Sequence, residues 1–118
     1  MMKDELLEAL EDLEIPVILQ GSIAADEAYP ETFITFRTLS SNTAKSFDND
    51  EVLTTYEINT CVFSRDPLIV ASVTADARAA LKKAGFIPQG KGYDLISDEP
   101  DFSGYATDYY YLEVEKNG

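Results

Sequence analysis

The stretch from Val52 to Phe86 constrains this chain more than any other. Val52, Tyr56, Ile58 and Val62 fall in one phase and Glu57, Asn59, Cys61 and Phe63 in the other, the two-residue period of a strand with one face in a core. Ser64-Arg65-Asp66-Pro67 then breaks the strand. Asp66 can accept from the free amides of a helix start, and Pro67 fits the first helical position, where no donor is needed. Val70, Val73, Ala77, Ala80, Leu81 and Ala84 follow as an apolar stripe. Lys82 and Lys83 suit the negative end of the helix dipole, and Gly85 suits a left-handed cap. Strand, cap, helix and stop are therefore predicted in succession.

Around that unit the chain reads as further short elements. Leu6, Leu7, Leu10 and Leu13 recur at helical spacing between Asp4 and Leu13, and Pro16 disfavours helix in the residue before it. Val17-Ile18-Leu19 is a short apolar strand, and Gln20 to Pro30 reads as a long loop of small and polar residues. Thr32 to Leu39, rich in Thr, Phe and Ile, is a strand. Ser40 to Asp50 is a polar connection whose tip, Thr43 to Glu51, is expected to be mobile. Phe86 to Ser103 contains Pro88, Gly90, Gly92 and Pro100 and is expected to be mostly irregular, with a weak strand around Tyr93 to Ile96. Tyr105 to Glu115 is the last strand. The expected fold is one α+β domain over residues 1–118: an antiparallel four-stranded sheet with two helices on one face, in the order α-β-β-β-α-β.

Charge narrows the function classes. Nine basic residues stand against 22 acids, a net charge of -13, whereas nucleic-acid backbones are held mainly by Lys and Arg. No specific nucleic-acid binding is expected. No stretch approaches the roughly 20 unbroken apolar residues of a membrane span, and the acidic start at Asp4 and Glu5 is unlike a secretory signal. A cytoplasmic protein is expected, with no membrane association. The single cysteine, Cys61, has no partner for an internal disulfide, which suits a reducing compartment.

The usual signs of catalysis are weak. The chain has no histidine, which removes His-based triads and the commonest near-neutral acid and base. Gly85 to Lys91 has the spacing of a phosphate-binding loop, but Gly92 replaces the magnesium-binding hydroxyl and the segment follows a helix instead of a strand. Asp48-Asn49-Asp50 resembles the opening of a calcium loop, yet Leu53 and Asn59 replace its required glycine and glutamate. Asp98 and Asp101 could pair as acid and base, but acids are so abundant that solvated surface charge explains them as well. No catalytic residue, metal ligand or cofactor is assigned. Tyr109 and Tyr111 share a strand face opposite Tyr110, Leu112 and Val114; they either mark an interface on an uncovered sheet face or are covered within the monomer.

In order, Thr32-Phe33-Ile34-Thr35-Phe36, Asp48-Asn49-Asp50, Tyr56-Glu57-Ile58, Val62 to Asp66, Leu81 to Phe86 and the closing tyrosine-rich strand resemble the tail-completion and tail-terminator group of long-tailed bacteriophages and prophages. The likeness spans Val17 to Glu115. It implies a structural protein without enzyme activity, typically a hexameric ring of copies of itself at the head-proximal end of the tail. Its implied partners are the tail tube protein and the head-tail connector. Such a protein would sit first in the host cytoplasm and then in the virion tail or neck. The hairpin tip and one sheet face then become the candidate assembly surface, with Lys45, Asp48, Asn49, Asp50, Glu51, Phe63, Tyr109 and Tyr111 as its residues. Two other classes fit an acidic domain of this size: a DNA-mimicking inhibitor of a basic protein, and a small-ligand module with a deep polar-lined pocket.

Overall fold

Asp66 opens the second helix as its sequence context predicts. Its carboxylate accepts from the Leu68 amide at 2.9 Å, and Pro67 begins a helix of 17 residues, α2 (Pro67–Lys83). The helix closes when the Phe86 amide donates to the Leu81 carbonyl and that of Gly85 to the Lys82 carbonyl, with Gly85 at φ +100°. This paired ending is the cap that a left-handed glycine permits. In the computed structural model the described residues are 2–19, 30–45, 51–96 and 101–116. The loop predicted over Gln20 to Pro30 lies outside them except for Pro30.

The remaining elements are α1 (Met2–Leu10), which runs into a 3-10 turn at Glu11–Leu13, then β1 (Val17–Leu19), β2 (Thr32–Lys45), β3 (Glu51–Ser64), β4 (Ile87–Ile96) and β5 (Ser103–Lys116). The fold is α+β, as expected, but the sheet has five strands in the order β1-β2-β3-β5-β4. Two corrections to the four-stranded antiparallel expectation follow. First, β1 pairs with β2 in parallel, Val17 beside Ile34 and Leu19 beside Phe36. Three apolar residues carry no signal of direction, and residues 20–31 supply the dozen or so that a parallel connection needs. Second, the segment expected to be irregular contains β4. Gly90 and Gly92 adopt φ +74° and +89° and interrupt its register with β5 between Gln89 and Tyr93. A proline and a bulge of this kind are tolerated at a sheet edge, where β4 lies.

Both helices pack on one face of the sheet. Leu6 and Leu10 of α1 and Val70, Val73, Ala77 and Leu81 of α2 share a core with Ile34, Phe36, Ile58, Val62 and Tyr109. Register explains the phase, because Ile34 lies opposite Val62 and Ile58 opposite Tyr109. Leu7, expected in the α1 stripe, is exposed, and Met2 takes a core place instead.

The hairpin is longer than expected. β2 continues to Lys45 and is paired throughout, through a bulge between Thr38 and Ser40, with a β3 that begins at Glu51. β2, β3 and β5 each run for 14 residues. Beyond the Tyr56–Tyr111 pair none of their described side chains belongs to the core. These three strands form an arm beyond the helical body, and the molecule measures 54 × 29 × 24 Å.

Candidate functional site

The residues expected at an assembly surface divide into three groups. Asp48, Asn49 and Asp50 lie outside the described residues. Lys45 and Glu51 end their strands, with backbone partners Val52 and Lys116. Phe63 is half-buried on the sheet face away from the helices, stacked on Phe33 with centroids 5.2 Å apart. Phe102 meets Phe33 edge-on at 5.7 Å, and the Arg65 guanidinium lies 5.3 Å above the Phe102 ring.

Tyr109 and Tyr111 fall on the helix side. Tyr109 is only 2% exposed and belongs to the core, and Tyr111 stacks on Phe86. The two are covered within the monomer, so the sheet face they occupy is not the uncovered one. Burial pushes the Tyr109 phenol up to about 12, although the nearby Arg78 pulls it down. Tyr111 is also raised, by burial and then by the carboxylates of Glu5 and Glu113.

The opposite face has two parts. Toward the start of α2 it is buried, with Thr35, Asn59, Cys61 and Ala106 inaccessible. Asn59 donates to the Asp108 carboxylate at 2.7 Å, and the Cys61 thiol lies 3.1 Å from the Asn59 side-chain oxygen. Burial raises the Cys61 thiol, against the Thr35 hydrogen bond and the Arg37 charge. Along the arm the same face is open: Leu112 is 50% and Val114 58% exposed, with Leu53, Tyr110 and Ile87 beside them. Leu53 lies opposite Val114, Thr55 opposite Leu112 and Ile87 opposite Tyr110. Of the two alternatives that periodicity left open for Tyr109 and Tyr111, cover within the monomer is the one observed, and the exposed stripe is that of Tyr110, Leu112 and Val114.

A groove of about 810 Å³ separates the first half of α2 from the facing ends of β4 and β5. Val70, Ala71, Ala75 and Leu95 give it apolar walls, and Arg78, Lys91 and Asp94 are its charged residues. Arg78 donates to the Gly90 carbonyl at 3.0 Å and the Tyr105 hydroxyl to that of Lys91 at 2.7 Å. The stretch with phosphate-loop spacing is thus a helix cap followed by a pinned edge strand, not the strand-to-helix cradle that holds phosphate. Among the described residues no group of three or more Cys, Asp or Glu could hold a metal. No helix among them is long and apolar enough to cross a membrane.

Compared with known proteins, the chain matches no family model and no curated sequence.

Proposed function

We propose that this chain is a structural subunit of the tail-completion and tail-terminator kind, forming a ring, typically a hexamer, at the head-proximal end of a phage tail tube. The observation that carries this reading is the arm. Three long strands reach past a small two-helix body and present an open apolar stripe at Tyr110, Leu112 and Val114, and exposed apolar patches on soluble domains mark protein contacts. The order of elements from Val17 to Glu115 is the basis of the resemblance. The arm meets neighbouring subunits, and the ring meets the tail tube protein on one side and the head-tail connector on the other. The acidic surface keeps the passing genome from adhering to the ring wall, because like charge repels the phosphate backbone.

A non-catalytic role agrees with the side chains present. The chain has no histidine, and its one thiol is buried with its pKa raised, the opposite of an activated nucleophile. Electron microscopy of purified tail tubes tests the proposal. Added protein should appear as a ring at one end of each tube and stop further elongation. Tubes that keep growing with bare ends in excess protein would refute it.

A further inference from the structure

The groove beside α2 has a different character at each end. Ser64 pairs with Ser103 just before Pro67 opens the helix, so the end at the start of α2 lies where β5 begins. The walls there are apolar, with Val70 and Ala71 on one side and Leu95 on the other. Eleven residues beyond Pro67, about 16 Å along a helix axis, Arg78 donates to the Gly90 carbonyl of β4. Arg78 and Lys91 make that end of the groove basic. Two of the nine bases in a chain with 22 acids therefore converge at one point, and the low-dielectric walls of a cleft focus the field of such charges.

The bulge in β4 is what brings Lys91 there. Gly90, Lys91 and Gly92 stand between the Gln89–Asp108 and Tyr93–Ala106 pairs, where β5 has only Thr107, and bulges re-aim side chains in this way. Gly92 is required at its place, because a Cβ would collide with the Ala106 carbonyl and the Tyr105 ring. The Tyr105 hydroxyl holds the Lys91 carbonyl at 2.7 Å. Arg78 spends one N–H on Gly90 at 3.0 Å, and a guanidinium has five, so donors remain for a ligand. Groups fixed in advance by the protein's own hydrogen bonds cost less to order on binding. A carboxylate matches the fork of an arginine, and apolar walls call for a hydrocarbon body. Asp94 lines the same groove three residues further along β4 and repels a second negative charge. We infer that this groove binds an amphipathic monocarboxylate, its head at Arg78 and Lys91 and its hydrocarbon chain along Val70, Ala71 and Leu95. The site is independent of the tail reading.

Calorimetric titration of the whole chain with decanoate tests the site. One decanoate should bind per chain, and acetate should give no measurable heat. Decyltrimethylammonium, with a similar tail and the opposite charge, should bind at least tenfold more weakly. Lys91→Gln should weaken decanoate binding several-fold and Asp94→Asn should strengthen it. Ala75→Trp should block it, because Ala75 is exposed on the groove wall. Far-UV melting confirms that each variant is folded, and Lys91→Gln keeps the backbone carbonyl that Tyr105 holds. The inference is overturned if decanoate shows no saturable binding, if the two amphiphiles bind equally, or if Asp94→Asn weakens decanoate. Binding indifferent to Lys91→Gln or to Ala75→Trp would put decanoate elsewhere, such as the open arm stripe, and overturns it as well. Sedimentation velocity addresses the other occupant: a dimer of the unmodified chain that Ala75→Trp dissociates would mean that a second copy fills the groove, against the inference. Decanoate binding with these responses, from a protein that leaves tail tubes uncapped, upholds the site and rejects the tail assignment alone.

Discussion

The ring of Tyr111 lies against that of Phe86, with centroids 4.4 Å apart and planes inclined by 29°. Phe86 is the first residue beyond the glycine cap of α2 and is 2% exposed, so this stack ties the end of the helix to the last strand where the arm leaves the body. Phe86→Ala should cost about 3–5 kcal/mol, as large buried truncations do. Tyr111→Ala, which leaves Phe86 in place, should cost less, because an aromatic pair adds only about 0.5–1.5 kcal/mol beyond buried area. Urea unfolding followed by far-UV circular dichroism ranks the two. A Tyr111→Ala loss equal to that of Phe86→Ala would show that Tyr111 anchors more of the core than this single stack.

Gly104 makes room for Phe63. A Cβ at Gly104 would lie 2.7 and 2.8 Å from two carbons of the Phe63 ring, and that ring is held by its stack on Phe33. Gly104→Ala should therefore destabilise the domain by about 1–3 kcal/mol through overpacking. Adding Phe63→Ala removes the obstacle, so the double variant should lose less than the two single losses combined. Additive losses would mean that the backbone at Gly104, and not the ring, sets the cost.

Much of this architecture was legible in local sequence, and the failures have physical causes. Asp66-Pro67 and Gly85 located both ends of α2 because caps are made by the residues at the ends themselves. β4 was obscured by Pro88, Gly90 and Gly92, which signal irregular chain unless the strand is known to lie at an edge. The direction of β1 depends on a partner 17 positions away in the Val17–Ile34 register, which no local period encodes. Tyr109, Tyr110 and Tyr111 put an aromatic ring in both phases of β5, so alternation could not decide which face the helices cover. The deciding fact is the pairing of Tyr109 with Ile58, a long-range contact.

Strongly alkaline pH should destabilise the folded core. Burial raises Tyr109 from 10.0 to about 12 and raises Tyr111 in the same direction. For a phenol the neutral form is the protonated one, so a raised folded pKa means that the folded state holds its proton more tightly. The associated stability is fully present below about pH 10 and is lost progressively as pH rises through about 12. Melting temperature measured from pH 8 to 12 should fall above pH 10, and Tyr109→Phe should flatten that fall. An unaltered profile in Tyr109→Phe would place the titrating group elsewhere.

The hairpin tip offers the clearest separation of folding from assembly. Lys45 and Val52 are paired, so replacing residues 46–51 by Asn-Gly joins them through a two-residue turn of the kind that hairpins favour. The register of β2 with β3 is kept, the change reaches only the terminal Glu51–Lys116 pair of β3 with β5, and replacements at a hairpin tip are commonly tolerated. The purified variant should therefore melt within a few degrees of the parent, as surface changes away from packed features usually do. On the proposed assembly role, attachment to tails should fail, because the change removes Asp48, Asn49 and Asp50 of the candidate assembly surface. In a phage carrying this change, overlong tails would mark the protein as a terminator of tube growth. Tails of normal length that remain unjoined to heads would mark it as a neck adaptor. If particles carrying the shortened arm are normal and infectious, the tip is a passive connection, and the assembly surface is confined to the strands that support it.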